Sequence, residues 1–251
     1  RLVSPDEPIA YYNFDSGTLD GDFTKIAAGN ADSNANLVFE AGKTGKDGDK
    51  SIKLGDYALR LDGNIGESYT VSVWVKSNVD TVGNNGAIFL LGLDNPEDWI
   101  GFAGKNVQGE AKLWSKSAET NYAHTHLVES LKMKKGVWTM LTLAQEGNDL
   151  SVYQDGVPLQ VMHQEGNIPK VLNGENKKIL LGATYWADGT FNGWMDDVRI
   201  YNKKLSAEQI KDLYETDPMV VGNAEENTGT NGLVETAKTL SVGVGETETI
   251  K

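Results

Sequence analysis

Two adjacent carboxylates, Asp196 and Asp197, interrupt an otherwise apolar, strand-like stretch, "MDDVRIY" at residues 195–201. Successive residues of a β-strand point to opposite faces, so one of the two carboxylates is predicted to face a packed region. A buried, ionised carboxylate is costly unless it is paired with a cation or bound to a metal ion. A salt bridge between Asp197 and nearby Arg199 is one interpretation. The other is a calcium site, because calcium binds carboxylate and backbone carbonyl oxygens.

Residues arranged for catalysis are scarce. Glycosidases of the sandwich type carry acidic residues that alternate along one strand, and the sequence contains no such run. The acidic stretch "DNPEDW" at residues 94–99 contains a proline and turn-forming residues, which predict a loop. His124 and His126 share a spacing that suits one strand face, but no third or fourth zinc ligand is evident nearby. The sequence therefore favours a protein without catalytic residues.

Aromatic residues offer a different chemistry. Sugars present flat C–H faces that stack on aromatic rings, and their hydroxyl groups need polar partners. The candidate ligand-binding residues are aromatic or histidine residues in or near polar segments that contain glycine or aspartate, where a large aromatic side chain needs a reason. They are Trp99, Trp114, Tyr122, His124, Tyr185 and Trp186. We predict a stacking platform formed by Trp114, Tyr185 and Trp186; packing under a loop is the alternative for each residue.

The composition limits the partners. The chain has 251 residues and a formal net charge of −13, which argues against nucleic acid and anionic membrane surfaces. Only Arg1, Arg60 and Arg199 are arginines, so a multi-arginine clamp for sialylated or sulfated sugars is not available. There is no cysteine, which excludes disulfides and thiolate metal sites. No apolar run approaches the ~20 residues of a membrane helix, so membrane insertion is not expected.

Short segments rich in β-branched and aromatic residues dominate the chain and are separated by Gly, Asn and Asp clusters. They are residues 9–14, 69–77, 87–93, 138–146, 150–156, 177–184 and 195–202. Many short strands with little helix predict an all-β, antiparallel β-sandwich. One short C-terminal helix is predicted in "SAEQIKDLYE", with Ser206 as its N-cap and Gln209 at the capping-box position.

The character of the sequence changes after Pro218. We place the sandwich domain at residues 1–218 and a polar linker, rich in Gly, Asn and Thr, at 219–238. Residues 239–251 alternate like a strand pair and look similar to the start of a bacterial immunoglobulin-like domain. A disordered tail is the alternative for this segment.

Five stretches together resemble the laminin G-like, concanavalin A-type jelly-roll family of bacterial surface and carbohydrate-active proteins. In chain order they are "YYNFD", "YTVSVWVK", "GVWTMLTLAQEGNDLSVYQDGVPL", "ILLGA" and "FNGWMDDVRIYNKKLSAEQIKDLY", and they span roughly residues 9 to 215. No single stretch identifies the family, but five stretches in the family's order make the resemblance specific. The resemblance implies two stacked antiparallel sheets, one with a concave face.

The resemblance also implies a calcium site. In the family, a calcium ion commonly joins the acidic residue after the N-terminal strand to the second aspartate of the "DDVRIY" stretch, which here are Asp15 and Asp197. The intervening loop, residues 42–54, would add carbonyl ligands, with Asp47 and Asp49 as further candidates. Such an ion would be structural and would stabilise the fold without contacting a ligand.

These features favour a non-catalytic carbohydrate-binding module. The expected ligand is a neutral poly- or oligosaccharide, with a plant or storage glucan such as starch admissible. The expected setting is extracellular, as a monomeric module of a larger multidomain bacterial protein that is secreted or attached to the cell wall. The alternatives are a protein-binding adhesion or spacer domain and a glycoside hydrolase.

Overall fold

The structure is a computed structural model, and its backbone forms two antiparallel β-sheets. It describes residues 7–63, 65–79, 87–93, 97–104, 111–117, 123–125, 127, 129, 131, 133–161, 177–187 and 189–223. The strands, numbered in chain order, pair antiparallel in both sheets. The predicted antiparallel β-sandwich is therefore confirmed.

The first sheet contains the long strands at the centre of the sequence and the last strand. Its members are β1 (Ala10–Tyr12), β3 (Phe39–Ala41), β4 (Lys50–Leu54), β6 (Ser68–Ser77), β11 (Trp138–Glu146), β12 (Asp149–Gln154), β13 (Val157–Pro158) and β15 (Gly193–Tyr201). The order is β13-β12-β11-β6-β15-β4-β3, and β1 pairs with β15. The strand that carries the paired aspartates therefore lies between β6 and β4, inside the sheet.

The second sheet faces the first across the core. Its members are β2 (Phe23–Ile26), β5 (Ala58–Asp62), β7 (Ala87–Leu93), β8 (Trp99–Gly104), β9 (Ala111–Lys116), β10 (Ala123–Thr125) and β14 (Lys177–Leu181). Their order is β10-β9-β8-β7-β14-β5-β2.

Alternation along the strands separates an interior core from the outer face of each sheet. Val71, Val73 and Val75 of β6 face the interior, where they meet residues of the second sheet such as Phe89. Trp74, between them, is fully buried on the opposite side, in a separate cluster beneath the C-terminal helix. The valines of β6 therefore lie on the inner face of the first sheet, and Trp74 lies on its outer face.

The predicted helix is confirmed as α1 (Ala207–Glu215). The Ser206 hydroxyl accepts the backbone N–H of Gln209, and the Gln209 side chain accepts the backbone N–H of Ser206, which completes the capping box. Tyr214 stacks on Trp74 with ring centroids 5.7 Å apart, so the helix covers the outer face of the first sheet.

The C-terminal region contains more helix than the single helix that was predicted. Residues 218–223 form a second helical segment, which begins at Pro218, and proline suits the first turn of a helix. Met219 and Val220 pack against the cluster beneath α1. The start of the predicted linker is thus helical in the structure. Residues 224–238 and the predicted segment 239–251 lie outside the described residues.

Candidate functional site

The paired aspartates are both buried, which corrects the expectation that the two would face opposite sides. Asp196 is 1% exposed and Asp197 is 4% exposed. The register between β15 and β6 shifts between Asp196 and Arg199, and Asp197 has a φ of 45°. A bulge of this kind inserts extra backbone into one strand and re-aims its side chains, so strict alternation fails at this point.

The Asp197 carboxylate is engaged by cations and a hydroxyl. Its Oδ2 lies 2.6 Å from Lys43 Nζ and 3.6 Å from Arg199 Nη2. Its Oδ1 accepts a hydrogen bond of 2.5 Å from the Tyr11 hydroxyl. Lys43 Nζ also lies 3.3 Å from Asp217 Oδ2. The salt-bridge interpretation therefore describes Asp197, with Lys43 from a distant loop as its nearer cation.

Asp196 has a different environment. It accepts the backbone N–H groups of Lys43 (3.1 Å) and Asp197 (2.7 Å). The pKa of the Asp196 carboxyl is raised to about 8. Burial is the main cause, the neighbouring charges of Asp197 and Asp49 act in the same direction, and the backbone N–H and the ammonium of Lys43 oppose them. At neutral pH this carboxyl either keeps its proton or requires additional positive charge.

The other predicted calcium ligands lie in surface turns. Asp15 Oδ1 accepts the backbone N–H of Lys50 at 2.9 Å, and Asp49 Oδ2 accepts the backbone N–H of Thr44 at 2.7 Å. Asp47 is exposed in the same loop as Asp49. Among the residues that the structure describes, no three acidic or histidine side chains form a group able to hold a metal ion. The calcium site stays a prediction.

The predicted aromatic residues come together on the outer face of the second sheet. Trp99 of β8 and Trp114 of β9 share a cluster with Leu90 and Tyr185, whereas the alternate residues of the same strands join the interior core. Trp186 follows in the loop after β14, and its ring lies 5.5 Å from that of Trp99 in an edge-to-face arrangement. We call Trp99, Trp114, Tyr185 and Trp186 the aromatic face.

Exposure differs within the aromatic face. Trp186 is 40% exposed and Trp99 is 6% exposed, while Trp114 and Tyr185 are partly buried. The rings of Tyr185 and Trp186 are 6.4 Å apart, also edge to face. Trp186 is therefore the member best placed to stack on a ligand, and Trp99 supports it from below.

Glycine shapes the floor of this face. Gly92 of β7 pairs with Trp99 on one side and with Lys178 of β14 on the other. A Cβ atom at Gly92 would lie 2.7 Å from the Asp98 carbonyl oxygen, 2.8 Å from the Tyr185 hydroxyl oxygen and 3.0 Å from Trp99 Cβ. The absence of a side chain at Gly92 thus lets both the Asp98 backbone and the Tyr185 hydroxyl approach this strand closely.

Polar residues continue the same cross-strand row. Asp62 of β5 pairs with Lys178, and Lys178 Nζ lies 3.7 Å from Asp62 Oδ1. Directly paired residues share a sheet face, and neighbouring strands lie ~4.8 Å apart. The row Trp99, Gly92, Lys178 and Asp62 therefore places Lys178 about 10 Å and Asp62 about 14 Å from Trp99, measured along the sheet. This pair offers both hydrogen-bond donors and an acceptor beside the aromatic face.

Sequence reasoning missed these polar residues. Alternation in "ALRLD", residues 58–62, does place Arg60 and Asp62 on one side of a strand. Arg60 Nη1 donates to Asn30 Oδ1 at 3.2 Å, and the neighbouring turn, Ala28–Asn30, packs beside the backbone of Trp186. The alternation along this strand can be seen in the sequence. Which strands lie beside it depends on the order of strands in the sheet, which the sequence does not show.

Of the remaining predicted ligand residues, only the strand register of His124 is described. In the register of β10 and β9, Thr125 pairs with Trp114, and His124 pairs with Ser115. Tyr122 lies outside the described residues.

In the part of the chain that the structure describes, no helix combines the length and apolar character needed to cross a membrane.

The fold and sequence define the class of this protein. Residues 46–211 match the family model of the concanavalin A-like lectin/glucanases superfamily, of the laminin G type, and the chain belongs to this family. The match covers more than half of the chain and includes most strands of both sheets.

Solved structures of similar fold include an enzyme domain and a toxin domain. Domain 4 of AbnA, a GH43 extracellular arabinanase from Geobacillus stearothermophilus solved in complex with arabinotriose, is 26% identical with a TM-score of 0.69. The match covers 84% of this chain and 100% of that domain. The receptor-binding domain of botulinum neurotoxin type G is 14% identical with a TM-score of 0.55, covering 84% of this chain and 51% of that one. The latter likeness concerns the fold alone.

Proposed function

We propose that this chain is a non-catalytic carbohydrate-binding module that contacts a neutral glycan through its aromatic face. The observation that carries the proposal is the convergence of Trp99, Trp114, Tyr185 and Trp186 from three separate segments, with Trp186 40% exposed. Stacking of a sugar ring on one aromatic side chain adds ~0.5–1.5 kcal/mol beyond area burial, so several contacts are needed for useful affinity.

The polar row supplies the hydrogen bonds that a neutral sugar requires. The Lys178 ammonium is a donor and the Asp62 carboxylate is an acceptor, so the pair suits hydroxyl groups, each of which can accept and donate. The Tyr185 hydroxyl above Gly92 is a further polar group in this row. A sugar stacked on Trp186 would thus meet polar groups on one side of the aromatic face.

The choice of first ligand follows from the comparison with the arabinanase domain. That domain was solved with arabinotriose, and it shares the fold along its whole length. We therefore place arabino-oligosaccharides ahead of starch-type glucans as candidate ligands. We also propose an extracellular setting within a larger bacterial protein, where the module would hold an appended enzyme or the cell close to the polysaccharide.

Isothermal titration of the protein with arabinotriose, and with maltotriose as the glucan alternative, tests the proposal. Trp186→Ala is expected to weaken binding of the preferred trisaccharide by about three- to tenfold, which is the worth of one aromatic contact. Trp194→Ala is the matched control, because Trp194 belongs to the other sheet. Binding that Trp186→Ala and Trp194→Ala affect equally, or failure of a neutral-glycan array to show any ligand, would contradict the proposal.

A structural calcium ion is the second part of the proposal. Asp197 does not fit the role, because the cationic groups of Lys43 and Arg199 already lie against its carboxylate. Asp196 fits better, since it is a buried carboxyl whose pKa is raised by burial and by nearby acidic groups. We propose that calcium binds the Asp196 carboxylate together with backbone carbonyl oxygens of the loop at residues 42–54, and it would supply the positive charge that Asp196 needs in its ionised form.

The calcium proposal is tested by thermal unfolding in excess calcium and in EDTA. A ligand that binds only the native state raises stability, so calcium is expected to raise the melting temperature. Asp196→Asn should abolish the difference between the two conditions, whereas Asp197→Asn should retain it. Equal melting temperatures of the unsubstituted protein with calcium and with EDTA would contradict the proposal.

A further inference from the structure

A second row of aromatic residues crosses the first sheet on its outer face. Four residues pair directly across β11, β6, β15 and β4: Trp138, Lys76, Trp194 and Lys53. Neighbouring residues of these strands, such as Val75, Met195 and Ile52, belong to the interior core, so the row lies on the opposite face. All four members of the row are partly buried.

The tryptophans hold the two ammonium groups in place. Lys76 Nζ lies 4.4 Å from the ring centroid of Trp194 and 5.0 Å from that of Trp138. Lys53 Nζ lies 4.7 Å from the ring of Trp194 and donates to Asn192 Oδ1 at 2.8 Å. Ammonium groups are attracted to the faces of indole rings. Lysines ordered in this way lose less side-chain entropy when they bind an anion.

The charge around the row differs from the acidic character of the whole chain. Burial lowers the pKa of the Lys76 ammonium, with Glu40 acting in the opposite direction. Glu40 also accepts the Trp194 indole N–H at 2.7 Å. Lys134 and Lys135 are exposed in the turn that leads into β11, and this turn is tied to the end of β6 by a hydrogen bond from Gly136 N to Ser77 O. Four lysines therefore lie on or beside the row.

The spacing of the ordered lysines suits a polymer. Lys53 and Lys76 stand on strands separated by β15, so their backbones are about 10 Å apart. Carboxylates on alternate units of an extended polyuronate chain fall at a comparable spacing. Ammonium groups cover the tryptophan rings of this row, which distinguishes it from the aromatic face of the second sheet.

We propose that the row Trp138, Lys76, Trp194 and Lys53 binds an anionic polysaccharide through its carboxylate groups, as a site separate from the neutral-glycan site. The lysines would pair with carboxylates of the chain, and the tryptophans would position the lysines. A module with both sites would contact neutral and acidic polysaccharides on opposite faces.

Titration with polygalacturonate at low salt tests this site, with methyl-esterified polygalacturonate as a ligand of the same backbone without the charges. The unsubstituted protein is expected to bind the acidic polymer, more weakly as salt increases, and to bind the ester far less. The double variant K53M/K76M should lose about fivefold or more in affinity, as expected for the removal of charged contacts. The double variant K204M/K211M removes the same number of charges from other surface ion pairs and should bind normally.

Two further variants separate the possible outcomes. K53R/K76R keeps both charges and should retain binding, and an unchanged far-ultraviolet circular dichroism spectrum of K53M/K76M separates the loss of charge from misfolding. Trp186→Ala should leave polygalacturonate binding unchanged, so the two proposed sites succeed or fail independently. The proposal is overturned if the unsubstituted protein does not bind the acidic polymer, if it binds the ester equally well, or if K53M/K76M binds like K204M/K211M.

Discussion

At the scale of single residues, Lys43 is the centre of the buried charge network. Its side chain is 5% exposed and contacts the carboxylates of Asp197 and Asp217, which come from the last strand and from the segment after α1. The pKa of the Lys43 ammonium is raised despite the opposing effect of burial, because Asp197 and Asp217 stabilise its charge. The network thereby ties the loop after β3 to both C-terminal elements.

Removing Lys43 should be strongly destabilising. Lys43→Met leaves two buried carboxylates without their shared cation, and breaking a buried ion pair in this way costs about 3–5 kcal/mol. Urea denaturation measures the free energy of unfolding. Lys211→Met is the control, because Lys211 is exposed and its pair with Glu215 is worth little. A Lys43→Met variant within 1 kcal/mol of the unsubstituted protein would contradict the assigned role.

The Asp196 carboxyl predicts how stability changes with pH in the metal-free protein. Its pKa is about 8 in the folded state, against an ordinary value of 3.8. The native state therefore binds more protons than the unfolded state between these values, so the free energy of unfolding should fall as pH rises from about 4 to 8. The fall is at most about 1.4 kcal/mol per pH unit from this group.

Urea denaturation in EDTA at a series of pH values measures this dependence. Asp196→Asn removes the titrating group, so its stability should change less over the same interval. Asp217 contributes in the same direction, because burial also raises the pKa of its carboxyl. A profile that rises between pH 5 and 8, or an unchanged slope in Asp196→Asn, would refute the assignment.

At the scale of elements, strand pairing assembles the aromatic face. Trp99, Trp114 and Trp186 stood out in the sequence because they lie in polar segments that contain glycine or aspartate. Lys178 and Asp62 did not stand out in the sequence, because only the strand order β8-β7-β14-β5 brings these two residues into one row with Trp99. The bulge at Asp197 was equally hidden, since the sequence pattern of a strand does not reveal where its register shifts.

Gly92 provides a test of how this element-scale arrangement supports binding. Gly92→Ala introduces a Cβ that would lie 2.7 Å from the Asp98 carbonyl oxygen and 2.8 Å from the Tyr185 hydroxyl oxygen, so the backbone before β8 and the Tyr185 side chain must both shift. We expect weaker binding of the neutral glycan with an unchanged far-ultraviolet circular dichroism spectrum. Gly63→Ala is the matched control, because no atom lies within 4 Å of a Cβ built at Gly63. Equal affinity in the two variants would show that the position of Tyr185 does not matter.

At the scale of the whole molecule, the β-sandwich could be predicted because each strand has a recognisable pattern of residue types within a short stretch of sequence. Five stretches in family order and the capping box before α1 give the architecture, and the structure confirms both. What could not be predicted are contacts between residues far apart in the chain, such as Lys43 with Asp197 or Lys76 with Trp194. The contacts of Lys76 with Trp138 and Trp194 belong to the first sheet, whereas the aromatic face belongs to the second.

The central claim is that neutral glycan meets the aromatic face of the second sheet. Nitrogen-15 NMR spectra of the tryptophan indole N–H groups locate the contact directly, because both sheets carry tryptophans. Titration with the trisaccharide that binds is predicted to shift the signals of Trp186 and Trp99 and to leave those of Trp138 and Trp194 in place. Shifts confined to Trp138 and Trp194 would contradict the claim.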